Sequence, residues 1–256
     1  MYIPIQEIIS RHKADIKGII HLGAHLGEEA KDYHESGVER VIWVEGNPSL
    51  IDSLKKNVSA YALNEVVNLL ISDKDNSPVT FNVTEFSQSS SILELGITKE
   101  IHNTNIIERV PLTAYRLDSF IAKNEINIGN YNFLNIDLQG YELVAMKSMG
   151  KYLDYMDWVY TEVNVKPLYK NCALLYEIDL FLLHKGFERV DLFMTTHFWG
   201  DALYRRKKIT GKDRWLKIIG IYAKESGRQA GYFVKAGYSN SKKMAKSFIK
   251  NILGRK

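Results

Sequence analysis

The stretch that most constrains what this chain can fold into runs from Lys17 to Pro48. A short apolar run, Ile19, Ile20 and Leu22, leads into a turn bracketed by Gly23 and Gly27. Residues Glu28 to Ser36 then have helical length, with Gly37 to end them, and a second apolar run, Val41, Ile42 and Val44, stops at Glu45. This order predicts a buried parallel strand, a glycine turn, a helix and a second parallel strand. A glycine turn lets a ligand come close to the backbone. An acidic residue closing the next strand can accept both hydroxyls of a ribose. The expectation is an α/β fold with a nucleoside-type cofactor at the carboxyl ends of its strands.

Two cofactor classes compete for that turn. Dinucleotide binders use G-x-G-x-x-G, whose third glycine packs helix against strand. This chain has G-x-x-x-G, with Glu28 and Glu29 expected to open the helix. Two carboxylates there repel a pyrophosphate seated on the helix N-terminus. They suit the cationic sulfonium and amino group of S-adenosylmethionine. The plainer reading, acidic residues complementing a helix dipole, stands beside it. The methyl-donor reading is preferred to the dinucleotide one.

The 256 residues suffice for one sizeable α/β domain and an appendage. A single cysteine, Cys172, excludes an internal disulfide framework and a cysteine-rich zinc site. No apolar run approaches the ~20 residues of a membrane span. The first residues show neither the basic start nor the apolar core of a secretory signal, so a cytoplasmic location is expected. The net charge of +4 is unevenly spread. Residues 207–256 carry 14 Lys and Arg against 2 Asp and Glu, a balance of +12, which leaves −8 over residues 1–206. Such a tail suits an anionic partner, and it reads equally as a solvated end. Within it, residues 242–253 place Met244, Phe248, Ile249, Ile252 and Leu253 on one helical face, with lysines mostly off it. That pattern fits an anionic membrane surface, and a helix docked on protein is the duller alternative.

Along the rest of the chain, residues 1–16 read as a lead-in helix with Ile5, Ile8 and Ile9 on one side. Asn47 and Pro48 start a helix reaching about Val58. Val66 to Ile71 reads as a third strand ending at Ser72 and Asp73, where an acid can reach an adenine amine or simply serve a turn. Val79–Val83 and Arg109–Thr113 are further strand candidates, and Leu117–Asn124 a helix. The serine run 89–91 sits in a polar loop. Phe133, Leu134 and Ile136 form a strand with Asp137 at its carboxyl end, followed by a turn at Gly140 and a helix facing inward through Leu143, Met146 and Met149. Ligand crevices in open α/β sheets lie beyond such ends, so Asp137 is the first candidate for a general base. Glu162, in the T-E-V-N segment after Met156–Tyr160, is the second. Leu174–His184 reads as a helix and Phe187–Leu192 as a strand. His197 and Trp199 open a possible pocket loop before a final strand ending at Arg206. No zinc spacing, Walker loop or G-x-S-x-G elbow is present.

Taken together, these pieces resemble the FkbM family of S-adenosylmethionine-dependent methyltransferases. The resemblance is carried by H-L-G-A-H-L-G-E-E at His21–Glu29, V-E-G-N-P at Val44–Pro48, Ser72-Asp73 and S-S-S-I-L at Ser89–Leu93. R-L-D-S-F at Arg116–Phe120, N-F-L-N-I-D-L-Q-G-Y-E at Asn132–Glu142, T-E-V-N at Thr161–Asn164 and G-D-A-L-Y at Gly200–Tyr204 continue it. It implies a class I, Rossmann-like methyltransferase fold over residues 1–206, a mostly parallel seven-stranded sheet with helices on both faces, followed by the basic extension 207–256. It implies that Gly23, Ala24 and Gly27 line the methionine end of the cofactor, that Glu45 holds the ribose and that Asp73 lies near the adenine. The expected cofactor set is completed by His25, Glu28, Asn47, Ser72 and Asp137, and the expected acceptor set is Ser90, Gln139, His197 and Trp199. The implied activity is O-methylation of a hydroxyl on a sugar, glycolipid or secondary metabolite. Gln139 departs from the pattern, since the family often has Glu there. A divalent metal on Asp137 and other carboxylates is compatible with the sequence but not demanded by it. Two rivals remain at this point: a non-catalytic binding module, and a nucleic-acid methyltransferase using the basic tail, for which the body carries no recognised motif.

Overall fold

The computed structural model describes residues 1–61 and 63–207, together with Lys217, Ile218, Gly220, Ile221, Ala223 and Lys224. The body, residues 1–207, is one unit. Nearly all of the basic extension 207–256, including the helix expected at 242–253, lies outside the described residues.

Seven strands form the main sheet: β1 (Ile19–Leu22), β2 (Val41–Glu45), β3 (Asn64–Asn68), β7 (Phe133–Ile136), β8 (Trp158–Asn164), β9 (Phe187–Met194) and β10 (Trp199–Arg206). Their order is β3-β2-β1-β7-β8-β10-β9. Strands β3, β2, β1, β7 and β8 pair in parallel, while β10 runs antiparallel to both β8 and β9. Every residue of β1, β2, β7 and β8 is buried, as expected for strands covered on both faces. Alternate side chains feed two cores. Ile20, Leu22, Val44, Leu134 and Ile136 pack under α5 (Leu117–Lys123), α6 (Glu142–Ser148) and α7 (Leu175–His184). Ile19, Val41, Trp43 and Phe133 pack under α1 (Ile5–His12), α2 (Ala30–Glu35) and α3 (Ile51–Val58). No helix among the described residues is long and apolar enough to cross a membrane.

Three local readings change. First, α2 begins at Ala30, so Glu28 and Glu29 precede the helix. Gly27 has φ +74°, and the helix starts only after that left-handed residue, with Ala30 N donating to Gly27 O at 3.1 Å. Second, the expected strand Val66–Ile71 is two strands in two sheets. Leu69 N makes the last bond to Glu45 O, and Asn68 Nδ2 also takes Glu45 O at 2.9 Å. A side-chain amide that captures the ladder's carbonyl ends the pairing. The chain then leaves as β4 (Leu70–Ile71), pairing with β6 (Ile106–Tyr115). Beside β6 lies β5 (Ser77–Thr84), giving a small second sheet of order β4-β6-β5. Strand β6 exceeds the expected Arg109–Thr113 at both ends: residues 106–108 give no alternation to read, and Ala114 and Tyr115 are drawn in by pairing with β4. Third, β8 runs through Thr161-Glu162-Val163-Asn164 instead of ending before it, because this segment continues pairing with β10.

Candidate active site

The sheet reverses direction of growth between β1 and β7, and a crevice opens beyond the carboxyl ends there. The register aligns the site. Val44, Leu22, Ile136 and Thr161 share one rung, so the residues after them, Glu45, Gly23, Asp137 and Glu162, line up across four adjacent strands. Asp201 on β10 pairs with Glu162 and extends the row. The cleft above this row has a volume of about 710 Å³, within the range of small-molecule sites.

Gly23, with φ +82°, stands where strands crowd. A Cβ there would sit 1.7 Å from the Asp137 carbonyl oxygen, so only glycine lets β1 and β7 approach. Gly27 faces away from the cleft, and a Cβ would meet Leu54 and Val58 of α3 at 2.9 Å. The Glu45 carboxylate is buried and ties two turns together: Oε2 accepts from His25 N at 2.8 Å and Oε1 from Asn47 N at 2.7 Å. Burial raises its pKa, and those two N–H groups work against the rise. His25 itself has φ +45°. Its ring bridges Glu28 Oε1 at 2.6 Å and Ser87 Oγ at 2.8 Å. The bond to Glu28 raises the His25 pKa. Burial pushes Glu28 up, but His25 outweighs it and holds that carboxyl at about 2.

The other half of the cleft is a cluster of carboxyls. Gln139, at φ +52°, donates from Nε2 to Asp137 Oδ1 at 2.5 Å and to Glu162 Oε2 at 2.9 Å. Its Oε1 accepts from the Tyr169 hydroxyl at 2.6 Å. Asp137 opens on the cleft at its floor, and its pKa is raised to about 7. Desolvation is the main cause, Gln139 opposes it, and the charges of Asp201 and Glu29 add to it. Glu162 is raised too, first by burial and then by Asp137, Glu142 and Asp201. Asp201 accepts from the Tyr160 hydroxyl and from Tyr2 N. Among the described residues no group of three or more His, Cys, Asp and Glu side chains is placed to hold a metal ion.

The cleft thus gathers Gly23, Ala24, His25, Glu28, Glu45, Asn47, Ser90, Asp137, Gln139, Glu162 and Trp199. It leaves out four expected residues. Gly27 packs on α3. Ser72 is buried behind Tyr141, with its N–H on Tyr115 O, and Asp73 is exposed in the turn after β4. His197 is exposed and meets the cleft only through His102, ring centroids 5.6 Å apart. Sequence reading passed over Glu29, Tyr160, Tyr169 and Asp201, all on the lining. Asp201 was findable, since G-D-A-L-Y reads as a strand that must lie beside a neighbour. Tyr169 lies in a loop without any periodic signal.

A seven-stranded sheet of this order with a ligand cleft at its switch point defines a Rossmann-like, class I methyltransferase fold. The family model of the methyltransferase FkbM domain matches residues 21–189, and the chain belongs to that family of S-adenosylmethionine-dependent methyltransferases. Solved structures similar to it include TrmK of M. capricolum in complex with S-adenosyl-homocysteine, at 8% identity and TM-score 0.47, covering 92% of this chain and 90% of that one. A protein of the NADB-Rossmann superfamily from Streptococcus agalactiae is similar at 12% identity and TM-score 0.47, covering 91% and 85%. Ribosomal protein L11 methylase from Lactobacillus delbrueckii subsp. bulgaricus is similar at 11% identity and TM-score 0.43, covering 78% and 75%. No curated protein matches the sequence.

Proposed function

We propose that the protein transfers the methyl group of S-adenosylmethionine to a hydroxyl of a sugar, glycan, glycolipid or related secondary metabolite. The observation that carries this reading is the single row Glu45–Gly23–Asp137–Glu162 at the switch point. The donor suits its lining: carboxylates of Glu28, Glu29, Glu45 and Asp137 complement a sulfonium and an ammonium, and Leu69, Leu70 and Ile71 offer an apolar wall to a base. When bound, the cofactor supplies an electrophilic methyl group and its own leaving group. Glu45 would receive the ribose hydroxyls, while the turn Gly23–His25 would flank the methionine end.

The chain's own work is then to hold an acceptor oxygen in line and to remove its proton. Alignment contributes up to about 7–11 kcal/mol in favourable cases. Asp137 is the base in this reading, because it is open to the cleft and its raised pKa suits proton uptake near neutral pH. Glu162, one strand away on β8, is the second candidate for the base.

Calorimetric titration tests the donor. Micromolar binding of S-adenosylmethionine by wild type, lost in Glu45→Ala, is expected. A folded wild type that binds neither the donor nor its demethylated product would turn the reading toward a binding module. Release of S-adenosylhomocysteine on adding glycans or lipid-linked sugars then identifies the acceptor.

A further inference from the structure

Around Gln139 the cleft floor holds an arrangement that none of the expected roles explains. An amide nitrogen has two protons and accepts nothing. Here both protons are used, one on Asp137 at the end of β7 and one on Glu162 within β8. The amide oxygen takes the Tyr169 hydroxyl. Turning the amide over would face its oxygen toward the two carboxyl groups and give up both donor bonds to them, so the observed orientation is the one that serves the acids. Tyr169 is 2% exposed, and its single hydroxyl proton has Gln139 Oε1 at 2.6 Å as the nearer acceptor and Ser89 O at 3.2 Å as the alternative one. Gln139 also holds a left-handed φ of +52°, unfavourable for a residue with a side chain, and that backbone stands in the turn from which the amide reaches both acids.

We infer that Gln139 is a positioning residue: it locks Asp137 and Glu162 into one two-carboxylate unit, with the Tyr169 hydroxyl bonded to the far end of the amide. This rests on the reading of Asp137 as the base, and it gives the base a fixed direction and a second carboxylate at a fixed offset. Without the amide, two acids on neighbouring strands would repel each other and swing apart. A glutamate at this position would place a third carboxylate among them and could donate nothing once ionised. The groups facing the unit are Asp201 on β10, Glu29 before α2, Glu142 on α6, His25 in the glycine turn, Tyr160, Tyr169 and the amino group of Met1.

The test needs no acceptor. The full chain, labelled with carbon-13 at the aspartate carboxyl, is titrated with pH by NMR, and the Asp137 signal is identified by its absence from Asp137→Asn. Gln139→Ala removes a donor from the charged form, so the Asp137 midpoint should rise by about one pH unit. Gln139→Glu should raise it further, and Tyr169→Phe should raise it less. A midpoint unmoved in all three variants, with backbone spectra outside the cleft unchanged, overturns the inference. Donor titration of the same samples keeps the two readings apart: a wild type that binds no S-adenosylmethionine defeats the proposed reaction, while the carboxyl titration still judges Gln139 alone.

Discussion

The two halves of the cleft each set an acid at a strand end, Glu45 buried and Asp137 open to the cleft, and they partner it differently. Glu45 spends its oxygens on the backbone N–H groups of His25 and Asn47, which tie two turns together and oppose the burial that raises its pKa. Asp137 and Glu162 share one amide, and the charges of Asp201, Glu29 and Glu142 raise their pKa values. The first half is built to keep a shape. The second is built to want a proton.

Breaking the second half should have the largest effect. Asp137→Asn is expected to slow methyl transfer roughly 10²–10⁴-fold, with donor affinity nearly unchanged in a calorimetric titration. Gly23→Ala attacks the seam between the halves. Its Cβ would lie 1.7 Å from the Asp137 carbonyl, and a loss of about 3 kcal/mol in denaturant unfolding is expected. Glu45→Ala leaves two backbone donors unpaired, at about 1–3 kcal/mol each, and should lower stability and donor affinity together.

The acid half also predicts a dependence on pH. With Asp137 at about 7 in the folded protein, the base is protonated below that pH. The rate should then fall about tenfold per pH unit on the acid side. Its folded pKa lies above the unfolded value of 3.8, so the native state holds a proton that the unfolded chain releases. That contribution to stability is present at low pH and lost as pH rises through about 7. Asp137→Asn should therefore melt higher than wild type at pH 8, and the gap should shrink as pH falls toward 5. The smallest effect belongs to Ser87→Ala, which removes one hydroxyl from the His25 ring. A loss of about 0.5–1.5 kcal/mol, read as faster donor dissociation, is expected.

Much of the first half was legible in the sequence. Gly23, Glu45 and Asn47 sit at strand ends that apolar runs mark plainly, and parallel strands place such ends together. Asp137 was legible for the same reason. The departure of β4 into a second sheet was not, because a single Asn68 between Val66-Val67 and Leu69-Leu70-Ile71 does not announce that its amide will capture Glu45 O and end the pairing. Asp73 follows a strand of the small sheet, in the turn that S-D-K-D-N-S-P also reads as, and lies outside the cleft lining. The bridge through Gln139 to Tyr169 spans 30 residues and two loops. Local pattern carries no record of such a contact.

His25 and Gln139, one in each half, share a backbone angle that side-chain-bearing residues avoid. Each gives up about 1–2 kcal/mol relative to a relaxed turn. Glycine at either position would relieve that backbone cost and delete the ring that bridges Glu28 and Ser87 or the amide that bridges Asp137 and Glu162. The strained angle is kept by the side chain it aims.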